Sequence, residues 1–188
     1  MRNIIVIADQ DRGKSFLIKN EILPKFSARK NYIFDINKEY GKFKNEAANV
    51  FSKDEFLNFV PSERGSNANV VFEEASAFFS KTGSTSKGTI EHICRRFHSG
   101  NLNIFVFHAL DQVPTDILYY IDFIVLFRTL DDVTKIQKTF AGRKKILSAF
   151  MKVRQRTENT RFDRVKKTYP DEYSRLHFHD KVFIEKPF

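Results

Sequence analysis

Five short runs of Ile, Val and Phe recur along the chain: "NIIVIA" (3–8), "NYIFDI" (31–36), "NVVFEE" (69–74), "LNIFVFH" (102–108) and "DFIVLF" (122–127). They are near-continuous apolar stretches, the pattern of strands covered on both faces by helices. Between them lie segments that predict helices, from Lys14 to Leu23, Lys53 to Val60, Ala75 to Phe79 and Thr89 to Phe97. Strand and helix in alternation predict an α/β fold. Two polar stretches, "SERGSNAN" (62–69) and "SKTGSTSKG" (80–88), read as connectors. After Asp131 the pattern predicts one long helical stretch with Ile136, Phe140, Leu147 and Phe150 on its apolar face. The closing "HFHDKVFIEKPF" predicts a short last strand after a turn near Pro170.

Composition narrows this picture. A chain of 188 residues suits one domain, 1–188, with a core part at 1–130 and a basic helical part at 131–188. Phe is used 21 times and Trp never, so the core is expected to lean on Phe. The single Cys94 excludes an internal disulfide and fits a reducing, cytoplasmic setting. Stretches such as "IDFIVLF" fall well short of the roughly 20 residues that a membrane span needs. The N-terminal apolar run is too short for the core of a signal peptide.

The net charge is +9, and its placement matters more than its size. Between Thr134 and Lys167 there are 12 Lys and Arg against two acids, Glu158 and Asp163; the remainder carries 20 basic and 21 acidic residues. The excess therefore sits in one segment, which suits a polyanionic partner. A solvated helix face and a dock for an acidic protein or membrane surface are the other readings.

The first strand stops at "ADQDRGKS" (8–15), which leads straight into a helix pattern. A phosphate-binding loop has this context and the pattern G-x-x-x-x-G-K-[ST]: backbone N–H groups face the anion, Lys reaches the β and γ oxygens, and the hydroxyl serves magnesium. Gly13, Lys14 and Ser15 match, and Ala8, Asp9, Gln10, Asp11, Arg12 and Phe16 complete the candidate nucleotide contacts. Ala8 replaces the first Gly, which is tolerable if its φ is negative. The alternative is a surface turn that happens to spell Gly-Lys-Ser.

Some 60 residues on, "NVVFEE" ends in two carboxylates. In phosphate-loop ATPases the first acid holds magnesium and the second activates the attacking water, which assigns Glu73 and Glu74 these roles. Glu73 stands where Asp is usual. A pair of acids complementing a helix N-terminus is the bland alternative. His108, at the end of a predicted strand, is a candidate sensor for the γ-phosphate or the lytic water, or a structural strand-end His.

With these pieces, "IFDINKEYG", "RRFHSGNLNIFVFHALDQVP" and "DFIVLFRT", the chain resembles the FtsK–HerA superfamily of DNA-pumping ATPases. It is most similar to the small genome-packaging ATPases of icosahedral phages. Asp35, Glu39 and Tyr40 match a D-x-x-x-E-Y segment of HerA-type proteins. The resemblance covers about residues 3 to 130. It implies a three-layer RecA-like fold of the additional-strand P-loop NTPase class, with a mainly parallel sheet of core order 2-3-4-1-5. It implies ATP and Mg2+ as cofactors and a homo-oligomeric ring of five or six subunits. An arginine, Arg95 or Arg96 by position, with Arg128 and Arg143 as outsiders, would reach a neighbour's nucleotide. Lys138, Arg143, Lys144, Lys145, Lys152, Arg154 and Arg156 would face double-stranded DNA without reading its sequence. Capsid vertex proteins are expected as further partners. A P-loop kinase, with 80–88 as its lid, and a nucleotide-gated phage assembly factor are the competing functions.

Overall fold

The computed structural model of the chain describes residues 2–10, 12–35, 40, 49–50, 67–79, 93, 100–158 and 181–187. Its strands are β1 (Arg2–Ile7), β2 (Asn31–Phe34), β3 (Asn49–Val50), β4 (Asn69–Phe72), β5 (Leu102–Phe107), β6 (Phe123–Leu126) and β7 (Val182–Glu185). They form one sheet in the order β3-β2-β4-β5-β1-β6-β7. All neighbours run parallel except β6 and β7. The five strands expected from the apolar runs take the expected order, 2-3-4-1-5. The last strand also forms where it was expected, as an antiparallel edge. The two-residue β3, at the other edge, gave no signal in the sequence.

Both faces of the central strands are buried. Ile5, Ile7, Phe105 and Phe107 point to one side, and Ile4, Val6, Ile104 and Val106 to the other. The first side is a phenylalanine cluster: Phe72 stacks on Phe105 at 4.8 Å, and Phe78 meets Phe34 and Phe72 edge-on. The expectation of a Phe-based core therefore holds. On the opposite side packs the helical segment that follows β1. It starts as α1 (Lys14–Leu17), widens over Ile18–Ile22 and tightens over Leu23–Phe26. Pro24 has no N–H to offer the Asn20 carbonyl, so an ordinary α ladder cannot continue through this turn.

The single helix expected after Asp131 is two helices, α2 (Val133–Thr139) and α3 (Lys144–Glu158). Gly142 separates them at φ 84, a left-handed conformation. Nothing lies within 4 Å of where its Cβ would be, so the backbone angle, not space, calls for glycine there. The Asp132 side chain caps α2 by accepting from the Lys135 N–H at 2.8 Å. The break also resets the apolar face. Ile136 and Phe140 are buried before it and Ile146, Ala149, Phe150 and Val153 after it, whereas Leu147 is half-buried. Ala75–Ala77 forms a single tight helical turn, and Ile93 is a buried helical residue. The helix expected at Lys53 to Val60, the connector at 80–88 and most of the one at 62–69 lie outside the described residues.

At the amino-terminal edge of the sheet the strands are tied together by buried asparagines. Asn69 donates to the side-chain oxygen of Asn31 at 2.7 Å, and Asn103 to that of Asn3 at 2.8 Å. The Asn101 side chain accepts from the Ala68 N–H at 2.9 Å. Asn3 also donates to the Ile93 and Tyr120 carbonyls, which joins β1 to the segments before β5 and β6. These pairs are in register partners or next to them, so a slipped strand would bury unpaired amides. Asn3→Ala should lower unfolding free energy by about 2–4 kcal/mol, because it orphans several buried polar groups. Urea denaturation measures this; a loss below about 1 kcal/mol would contradict the clamp.

Candidate active site

Parallel strands all end at the same edge, and here that edge gathers the expected residues. Phe34 pairs with Phe72, Phe72 with Phe105, and Ile7 with Phe107 and Leu126. The residues that leave the strands there are Ala8, Asp35, Glu73, Glu74 and His108, in the crevice where open α/β sheets bind ligands.

The loop after β1 runs from Ala8 to Gly13 and leads into α1. Ala8 is fully buried and its N–H still bonds the Phe107 carbonyl, so the chain leaves the strand extended. Ala8 is absent from the positive-φ residues, so the missing glycine is tolerated. Gly13 has φ 85 and is the position that demands glycine. Gln10 and Phe16 are exposed, Arg12 is buried, and Asp11 lies outside the described residues.

Lys14 is only 7% exposed, and its ammonium is folded over the loop. It donates to the Ala8 carbonyl at 3.0 Å, the Asp9 carbonyl at 2.8 Å and His108 Nδ1 at 3.3 Å. His108 Nε2 lies 2.7 Å from Glu74 Oε1. An ammonium can only donate and a carboxylate accepts, so Nδ1 is the acceptor and Nε2 carries the proton. Lys14, His108 and Glu74 thus form one continuous chain of hydrogen bonds. Gln112 holds the His108 backbone by accepting its N–H at 3.1 Å. Asp131 fixes the next turn by accepting from the Leu110 and Asp111 N–H groups.

A second chain runs beside the first. Ser15 Oγ donates to Glu73 Oε1 at 3.1 Å, and the Tyr40 hydroxyl donates to Glu73 Oε2 at 2.6 Å. The sequence gives Tyr40 a place in the D-x-x-x-E-Y segment but no role, and carries no signal for Gln112 or Asp131. A hydroxyl and one carboxylate facing a phosphate loop fit Mg2+, which binds through one or two carboxylates plus substrate phosphates. Among the described residues no group of three His, Cys, Asp or Glu side chains could hold a metal without such help.

The basic residues divide. Lys138, Lys144, Lys145 and Lys152 are exposed, and the Lys145 ammonium also donates to the Lys186 carbonyl at 2.8 Å. Arg143 and Arg154 are half-buried, with guanidinium groups on the Thr115 and Asp131 carbonyls at 3.2 Å. Those two arginines fasten helices to loops. Arg95, Arg96, Glu39 and the Arg156 side chain lie outside the described residues. A hollow of about 250 Å³ lined by Ile93, Asp116, Ile117, Tyr119 and Tyr120 shares no residue with the site.

No model of a known protein family matches the chain, and no curated protein sequence matches it. Solved structures do. The genome packaging NTPase B204 of Sulfolobus turreted icosahedral virus 2 with AMPPCP superposes with a TM-score of 0.65 at 18% identity, over 79% of this chain and 87% of that one. Its ATP-gammaS complex gives 0.62 at 20% identity, over 73% and 80%. B204 of Sulfolobus turreted icosahedral virus, a DNA-packaging ATPase, gives 0.61 at 19% identity, over 73% and 81%. This chain has their fold. The P-loop NTPase architecture implied by the resemblance is therefore the architecture observed, with the loop at 8–15 following β1. No helix among the described residues is long and apolar enough to cross a membrane.

Within the loop, Asp9 is strained electrostatically. Its Oδ1 accepts from the Leu130 N–H at 3.1 Å. Burial pushes its carboxyl above 3.8, against the opposing pull of that N–H, Arg12 and Lys14. The stability this charge forfeits is absent below 3.8 and grows as pH rises through the raised folded value. Asp9→Asn keeps the Oδ1 acceptor and removes the charge. Its melting temperature should exceed the wild-type value at pH 7, with the gap closing on acidification; an equal or lower value at pH 7 would contradict this.

Proposed function

We propose that the chain is an ATPase whose hydrolysis drives double-stranded DNA, without regard to sequence, into a viral capsid. The observation that carries the reading is the convergence of Lys14, Ser15, Glu73, Glu74 and His108 on one loop at the carboxyl edge of a P-loop sheet. The B204 proteins that share the fold are described as genome-packaging NTPases, two of the structures with ATP analogues.

In this reading Lys14 exchanges the Ala8 and Asp9 carbonyls for β and γ oxygens of ATP, while the loop N–H groups face the phosphates. Ser15 and Glu73 would hold Mg2+, which would supply charge neutralisation at those oxygens. Glu74 orients a water for in-line attack on the γ-phosphorus. The water oxygen forms the new P–O bond, and the bond to the bridging oxygen breaks with its electron pair left on ADP. The water proton passes towards Glu74. His108 holds Glu74 and touches Lys14, so the phosphate-binding and water-activating groups sense each other. Arg95 or Arg96 of a neighbour, in a ring of five or six subunits, supplies a positive charge to the transition state.

Lys138, Lys144, Lys145 and Lys152 form the described part of the DNA surface. On α3 the exposed Lys144, Ser148 and Lys152 follow one another at four-residue spacing, a stripe along one side of the helix. Contacts of this kind bind phosphates and release counterions, which a motor indifferent to sequence requires. Capsid vertex proteins and the host cytoplasm complete the proposal. A kinase has less support, since two adjacent carboxylates, Glu73 and Glu74, follow β4 and a basic helix, α3, follows the core part.

Lys14→Ala should abolish nucleotide binding. Glu74→Gln should bind ATP yet turn over about 10²–10⁴-fold more slowly; unchanged turnover would contradict the role given to Glu74. Double-stranded DNA should stimulate ATP loss with no small acceptor present, and the stimulation should fade with salt. Replacing Lys144 and Lys152 together by Ala should flatten that salt dependence by about two units of log–log slope. DNA binding with an unaltered slope would place the DNA elsewhere.

A further inference from the structure

We propose that Tyr40 positions Glu73 for the magnesium of the bound nucleotide, and that its hydroxyl is why a glutamate serves where aspartate is usual. The inference rests on the phosphate-site reading above.

The two oxygens of Glu73 have different partners. Oε1 accepts from Ser15 Oγ at 3.1 Å and Oε2 from the Tyr40 hydroxyl at 2.6 Å. The second contact is short, as expected when a carboxylate accepts from a phenol. Glu73 is 3% exposed and Tyr40 fully buried, so neither group has bulk water as a ready substitute. The Tyr40 ring lies in the apolar cluster that includes Leu17, Ile18, Ile33 and Val71, between the α1 segment and the sheet. The Lys19 ammonium lies over the ring, 5.4 Å from its centroid.

The tyrosine's backbone is fixed as well. Its N–H donates to Asp35 Oδ2 at 2.8 Å, and Asp35 directly follows β2. The Glu73 N–H donates to the Phe34 carbonyl at 3.2 Å. Asp35 and Glu73 are therefore adjacent across the β2–β4 pair, and Tyr40 returns over both. Its hydroxyl holds one side of the carboxylate, so that the other faces Ser15, where the metal would bind. Aspartate, shorter by one C–C bond of about 1.5 Å, would have to release Tyr40 or Ser15 unless β4 moved. In this proposal Tyr40 is a positioning residue, acting on the metal site through Glu73.

The test is calorimetric binding of a non-hydrolysable ATP analogue with magnesium and in EDTA. The readout is the ratio of the two affinities, the magnesium advantage. Tyr40→Phe keeps the ring and removes the hydroxyl. It should lower the magnesium advantage about tenfold, the usual effect of removing a partner of a metal ligand, and leave binding in EDTA unchanged. Glu73→Asp should also lower the advantage, because the shorter side chain cannot keep both the Tyr40 and the Ser15 contact. A folded Tyr40→Phe protein with the full advantage overturns the proposal. So does equal loss with and without magnesium, which would make Tyr40 a packing residue. If Tyr40→Phe does not fold, Glu73→Asp alone decides, and a full advantage in that variant overturns the proposal. Wild-type protein that binds no nucleotide would overturn the phosphate-site reading, and the role of Tyr40 with it.

Discussion

Every feature of the site depends on parallel strands that end in register at one edge. Asp35, Glu73 and His108 come from three strands that are far apart in sequence and neighbours in the sheet, while Lys14 and Ser15 follow a fourth. A shift of one residue in any pairing would turn a functional side chain to the other face. The opposite edge guards against that shift. Its asparagines join β2 to β4 and β1 to β5 through buried amide pairs that have no equivalent in a neighbouring register. The apolar runs make the sheet stable, and polar groups at its two ends make its alignment unique.

At the carboxyl edge the side chains are held in two hydrogen-bonded chains. In one, the Lys14 ammonium meets His108, and His108 meets Glu74. In the other, Ser15 and Tyr40 share the two oxygens of Glu73. A buried ammonium needs acceptors, and Lys14 finds them in the Ala8 and Asp9 carbonyls. Phosphate oxygens carry more charge than those carbonyls and are the better partners for it. The exchange would alter one contact of His108 and leave the other on Glu74.

Much of this was legible in the sequence, for physical reasons that differ from element to element. The five strands were legible because burial on both faces requires unbroken apolar runs. The turn after β1 was legible because a glycine just before a helix pattern marks a left-handed position, and Gly13 has φ 85. The break at Gly142 was not, since the apolar residues before and after it continue a nearly helical spacing and only φ distinguishes a left-handed glycine. The asparagine clamp was also missed: an Asn next to a strand reads as turn punctuation unless the partner strand is known. Charge counting marked the basic segment but could not tell Arg143 and Arg154, which hold carbonyls, from the exposed lysines. Tyr40 lies far from Glu73 in sequence, and no periodicity links them.

The proposed function requires a triphosphate on the loop at 8–15, between Lys14 and Glu73. A crystal structure with magnesium and a non-hydrolysable ATP analogue tests it most directly. In that crystal Lys14 Nζ should have moved from the Ala8 and Asp9 carbonyls onto phosphate oxygens, with magnesium beside Ser15 Oγ and Glu73. Nucleotide bound elsewhere, with Lys14 still on those carbonyls, would contradict it.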